Sequence, residues 1–151
     1  AIVVMTRDED EDLADSSAKR RKKQDLHRRE ALVKNANADL FISIHMNAMI
    51  SSRWSGAQTF YDPRSHPGSE QLALWLQHEL RKNLENTTRE AKTIGSVYLL
   101  KTAEIPSALI EVGFLSNPEE ARLLATEDYQ RKVAASIYYG ILRFVSGETI
   151  S

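Results

Sequence analysis

The sequence predicts an α/β protein: a three-layer α/β/α sandwich with a central, mostly parallel mixed sheet. Three observations carry that expectation. Short runs rich in β-branched and aromatic residues (Leu40–Met46, Ala57–Tyr61, Ser107–Phe114) alternate with longer stretches whose apolar residues recur at three- and four-residue steps. The chain has 151 residues, 42% of them hydrophobic and 27% charged, enough to bury one core and ordinary for a globular domain. No repeat and no Pro-, Gly- or Ser-rich linker interrupts it, so no domain boundary is expected.

Each element has a local cause. Ala1–Met5, AIVVM, has no turn before it and predicts a buried strand entered mid-domain, with sequence expected upstream. Asp8–Asp12 (DEDED) and Lys19–Lys23 (KRRKK) are blocks of like charge, expected as solvated loop. Asp25 is a candidate N-cap for a helix running to about Asn35, closed by Asn37-Ala38-Asp39. In Leu40–Met46, alternation puts Leu40, Ile42, Ile44 and Met46 on one face and Phe41, Ser43 and His45 on the other. A loop from Asn47 to Gly56 leads into the strand Ala57–Tyr61, which Asp62-Pro63 ends.

After Pro67-Gly68-Ser69, the spacing of Leu72, Trp75, Leu76, Leu80 and Leu84 predicts an amphipathic helix stopped by Asn86-Thr87-Thr88. Ser96–Leu100 is a strand candidate, and Ser107–Phe114 a stronger one with Pro106 at its entrance. Asn117-Pro118-Glu119-Glu120 has the pattern of a helix start: N-cap, proline in the first turn, then acids. The last helix runs from about Thr126 or Glu127 to Val145, with Val133, Ile137, Ile141 and Phe144 facing the core.

Composition excludes several functions. With 20 basic and 21 acidic residues the net charge is −1, without the basic surplus of a general nucleic-acid binder. The absence of cysteine excludes disulfides, thiolate zinc sites, iron–sulfur clusters and cysteine nucleophiles. No run approaches the apolar length of a membrane span, and no signal peptide is visible. There is no G-x-S-x-G, Walker loop or G-x-G-x-x-G.

Two strand-borne polar residues remain. Glu111 lies inside the apolar run Ala108–Phe114, where a carboxylate is costly unless paired, hydrogen-bonded or beside a metal; the alternative is an edge strand with Glu111 facing water. His45 stands at the carboxyl side of its strand, where α/β sheets bind ligands, and a neutral imidazole there can take a metal; the alternative is a satisfied core histidine. His27, His66 and His78 show no ligand spacing to it. One His and one Glu so placed suggest a metal-activated water with a carboxylate general base.

Thr6-Arg7 with the acidic residue after it, Arg29, the segment Ala38–Ala48 (ADLFISIHMNA) and the segment Pro106–Asn117 (PSALIEVGFLSN) together resemble the zinc-dependent N-acetylmuramoyl-L-alanine amidases of the Amidase_3 type, in order across nearly the whole chain. Gly56–Tyr61, Asn86–Lys92 and Val97–Lys101 are most similar to the germination-specific members of spore-forming bacteria. The resemblance implies an α/β amidase catalytic domain over residues 1–151 that lacks its first strand and helix. It also implies hydrolysis of the bond between N-acetylmuramic acid and L-alanine in peptidoglycan of the spore cortex. His45 matches a zinc ligand and Glu111 the catalytic glutamate, while Asn47 is a candidate substrate contact. The family's Gly-His-Gly motif and its glutamate ligand do not occur here, so the chain alone is expected to be inactive. Also implied are Zn2+ as cofactor, peptidoglycan and a regulatory protein as partners, no nucleic acid, and export to the cell wall or spore envelope. The rival expectation is a non-catalytic peptidoglycan-binding or regulatory module on the same fold.

Overall fold

The computed structural model describes residues 1–150. Its elements, in chain order, are α1 (Arg21–Asn35), β1 (Phe41–Asn47), β2 (Gln58–Tyr61), α2 (Gly68–Leu84), β3 (Lys92–Thr93), α3 (Tyr98–Thr102), β4 (Ser107–Phe114), α4 (Pro118–Leu124) and α5 (Glu127–Val145). The four strands form one sheet in the order β1-β4-β2-β3. β1 runs parallel to β4 and β2 parallel to β3, while β2 is antiparallel to β4, so the sheet is mixed and mostly parallel as expected.

The core lies on one face. Ala108, Ile110 and Val112 of β4 pack with Leu72, Leu76 and Leu80 of α2 and Val133 and Ile137 of α5. The apolar spacing of both helices meets there. On the opposite side α1 and α3 contact each other and flank Phe41, completing the third layer. β4 is central, paired along both edges, which settles the choice left open for Glu111: its strand is interior. Pro106 precedes the ladder, and its carbonyl accepts from Phe41 N at 2.9 Å.

β2 is paired along its second edge only at Phe60 and Tyr61. The backbone groups left over there are met by a side chain from α2. Gln77, 1% exposed, accepts from Thr59 N at 2.7 Å and donates to Ala57 O at 3.2 Å and Arg89 O at 2.8 Å. Buried backbone groups need such partners.

Several sequence expectations need correction. Ala1–Met5 forms no strand, and Ile2 is 95% exposed: among the described residues nothing pairs with it. The basic block is not all loop, because Arg21–Lys23 make the first turn of α1, exposed as helix rather than coil. Asp25 does not cap that helix. It is buried within it, accepting from Leu13 N at 2.9 Å and pairing with Arg29 at 2.9 Å, so tertiary contacts override its local preference for a cap. Ser96–Leu100 is not a strand, since Tyr98–Thr102 is a short helix that buries Leu99 and Leu100. An apolar run of that length has no period to separate the two.

The helix starts at Asn117 and Thr126 follow expectation. The Asn117 side chain accepts from Glu119 N and Glu120 N, with Pro118 in the first turn, and Thr126 accepts from Tyr129 N.

Candidate functional site

Because β1 and β4 are parallel, their carboxyl ends lie at the same edge of the sheet. His45 stands directly opposite Glu111 in their register. Register partners in a parallel pair share a face, and neighbouring strands are about 4.8 Å apart. The two residues are therefore side by side, on the face away from the α2–α5 core. Beyond them the register shifts, and Asn47 pairs with Phe114 while its carbonyl accepts from Leu115 N at 2.7 Å. That bulge ends the ladder at the site.

Glu111 is half-buried, and burial pushes its carboxyl above the usual carboxylate range. Its Oε2 is buried without a hydrogen-bond partner among the described residues. An orphaned carboxylate oxygen in an interior strand is costly, and such atoms concentrate where a ligand, a water or a reaction completes them.

His45 is exposed, and its Nε2 lies 2.9 Å from Ser43 Oγ two residues back on the same face. Loss of hydration against the protein, then the positive charges of Arg29 and Arg7, hold its pKa below the ordinary histidine value. Both effects favour the neutral imidazole, the form that ligates metals.

The other histidines are engaged elsewhere. His27 Nδ1 is 3.0 Å from Tyr98 Oη, His66 Nδ1 accepts from Gly68 N at 3.0 Å, and His78 packs edge-on against Trp75.

The fit to a metal is incomplete within these residues. His45 is a suitable donor, but among the described residues no three His, Cys, Asp or Glu side chains gather as a metal site. Catalytic zinc ordinarily takes three protein ligands and a water.

The profile of the N-acetylmuramoyl-L-alanine amidase family, Amidase_3, matches residues 1–143. The chain belongs to this family. It is 54% identical over 147 residues to the germination-specific N-acetylmuramoyl-L-alanine amidase of Bacillus subtilis, covering 95% of this chain and 62% of that relative. The chain therefore spans less than two thirds of that relative's length. Among solved structures, the CwlD amidase from Clostridioides difficile in complex with the GerS lipoprotein superposes with a TM-score of 0.92 at 39% identity, over 97% of this chain and 77% of that one. The catalytic domain of CwlV, an amidase from Bacillus (Paenibacillus) polymyxa, superposes with a TM-score of 0.81 at 30% identity, over 96% of this chain and 73% of that one.

In this amidase domain one site neighbour escaped the sequence. Gln58 of β2 stands opposite Glu111 on its other side, so His45, Glu111 and Gln58 form a polar row across three strands. The signal was present: Gln58 is a polar residue in a short strand of otherwise aromatic and β-branched residues. Its meaning depends on the antiparallel register.

Proposed function

We infer that the protein hydrolyses the amide between the lactyl group of N-acetylmuramic acid and L-alanine in peptidoglycan, in the spore cortex. The observation that carries this is the pairing of His45 with Glu111 at the carboxyl ends of adjacent parallel strands, with Glu111 Oε2 unpartnered, in a chain of this amidase family.

Glu111 acts as general base and then general acid. It takes a proton from the attacking water and returns it to the departing alanine nitrogen. Its raised pKa brings it nearer the operating pH than an exposed carboxylate, which suits both roles. Zinc, when bound, would polarise the carbonyl and acidify the water. His45 is its one ligand candidate among the described residues. Asn47, at the bulge, contacts the glycan or peptide. The substrate implies a location in the cell wall or spore envelope. The complex of the Clostridioides difficile relative with a lipoprotein supports a protein partner for this chain too.

The second reading, a non-catalytic wall-binding or regulatory module, is favoured by the lack of a three-ligand metal cluster among the described residues. It is disfavoured by Glu111, because a binding module gains nothing from a desolvated strand carboxylate.

The test uses the chain and a version extended to the relatives' length, each with zinc and purified cortex peptidoglycan. The extended protein is expected to release stem peptides with a free L-alanine amino group. Binding without release by the extended protein selects the second reading.

A further inference from the structure

The polar row across the sheet does not end at Gln58. Arg89 donates through Nη1 to Gln58 Oε1 at 3.3 Å and through Nε to Ser55 O at 2.9 Å. Its guanidinium carbon lies 5.5 Å from the ring centroid of Trp54 and 5.4 Å from that of Phe114. These partners are all neutral. The adjacent acid, Glu90, is held by Arg81 instead. Among the described residues Arg89 forms no ion pair, and its Nη2 makes no hydrogen bond. Phe114 is buried, whereas Trp54 is 48% exposed. One ring anchors the guanidinium and the other faces solvent beside it.

The arrangement is built in advance. The loop bearing Trp54 is fastened to the turn after β4 and to the first turn of α4: Ser116 Oγ accepts from Met49 N at 3.1 Å, and Glu120 Oε1 accepts from Gly56 N at 2.8 Å. Arg89 is held at two points and flanked by two rings, so little freedom remains to be lost on binding. Its charge has no counterpart among the described residues.

We propose that Arg89 and Trp54 form a subsite for the peptide side of the substrate, Arg89 binding a carboxylate and the Trp54 indole covering the adjoining backbone. This rests on the amidase reading. Arg89 joins the row through its hydrogen bond to Gln58, which stands opposite Glu111 one strand spacing away, about 4.8 Å. An extended peptide advances about 3.5 Å per residue, so the second residue beyond the scissile amide reaches this part of the row. The choice of peptide over glycan follows from charge. The lactyl carboxyl is consumed in the scissile amide, which leaves the N-acetylated glycan neutral there. The carboxylates of the substrate are on its peptide, and a guanidinium fork fits a carboxylate with two parallel hydrogen bonds.

The probes are N-acetylmuramoyl-L-alanyl-D-glutamate and its doubly amidated analogue, titrated without zinc into 15N-labelled protein. The Trp54 indole and Arg89 Nε–H resonances are followed. The acid is expected to bind at least tenfold more tightly than the diamide and to move both resonances. Arg89→Gln is expected to abolish the preference, and Arg89→Lys to keep part of it. Equal affinity of the wild-type protein for acid and diamide, or no binding of either, overturns the subsite whether or not any variant folds. Preference retained in Arg89→Gln overturns it as well. The amidase reading fails separately, if the extended protein with zinc leaves the muramoyl–alanine bond intact while the Arg89-dependent preference persists.

Discussion

Gly140 on α5 lies against Leu76 on α2 so closely that a Cβ at position 140 would stand 2.9 Å from Leu76 Cα. The obstacle is backbone, which cannot swing aside as a side-chain tip can. In an exposed helix Gly→Ala gains about 1 kcal/mol, but forcing two packed helices apart costs about 1–3 kcal/mol. Gly140→Ala is therefore expected to destabilise, and Gly140→Val more so. Urea unfolding midpoints measure this, and a midpoint raised by alanine would show that the helices part freely.

Gln77 offers a sharper test of the core. Replacing it by Met keeps the volume but strands Thr59 N and Arg89 O beside β2, while Ala57 O keeps the Thr87 hydroxyl as donor. Unsatisfied buried groups cost about 1–3 kcal/mol each, and partial relaxation brings the expected loss to about 2–4 kcal/mol. Amide exchange at Thr59 should accelerate in the same variant, whereas a global loss with Thr59 still protected would point to packing instead.

Acid should expose Asp62. This carboxylate is fully buried, accepts from Arg64 N, Nε and Nη2, and is held down to about 2, chiefly by the Arg64 side chain. A depressed carboxyl stabilises the fold above its unfolded pKa of about 3.9, and that stability is lost as pH falls towards the folded value. Melting temperature should thus drop between about pH 4 and pH 2. Asp62→Asn should show a shallower drop in that window, and parallel curves for the two proteins would remove Asp62 as its source.

Glu111→Gln should separate activity from stability. Turnover in the extended protein is expected to fall about 10²–10⁴-fold, the usual worth of a general acid–base group. The fold should gain. Burial raises the folded pKa of Glu111, so its favourable contribution is complete below the unfolded carboxylate pKa and is lost as pH rises through the folded value. At neutral pH the wild type carries a desolvated charge that the amide lacks. A higher melting temperature for Glu111→Gln at pH 7 than at pH 4, relative to wild type, is the signature; wild-type turnover would strike Glu111 from the mechanism.

Zinc titration addresses His45. With one candidate ligand, the 151 residues are expected to bind zinc weakly by calorimetry and to show no turnover. Tight one-to-one binding together with activity equal to the extended protein would mean that the ligands had been misassigned.

The helices α2 and α5 and the start of α4 were legible because their signals are local: apolar spacing, an Asn-Pro pair and a Thr cap. Strand β4 was legible as a strand, but its central position was not, since pairing partners lie far along the chain. Asp25 and the Tyr98–Thr102 turn were misread for the opposite reason. Local preference spoke, and contacts with Leu13, Arg29 and the sheet overruled it. His45 and Glu111 stood out as polar residues in apolar strands. That they face one another needed the parallel register, and Gln58 and Arg89 joined them only through the antiparallel return of β2.

Glu120 has a consequence for how this domain tolerates change. One oxygen accepts from Gly56 N and the other from Phe114 N, both at 2.8 Å, and Gly56 itself, at φ +88°, has no room for a Cβ beside Thr87 Oγ1. The stretch from Asn47 to Gly56 and the turn from Leu115 to Glu120 are thus one interchangeable part made of two pieces of chain. Swapping either alone for a relative's version discards the other half of the joint, whereas exchanging both together preserves it. Substitutions in the two pieces should be strongly non-additive, and recombination between related genes should prefer crossovers that keep them in the same inheritance.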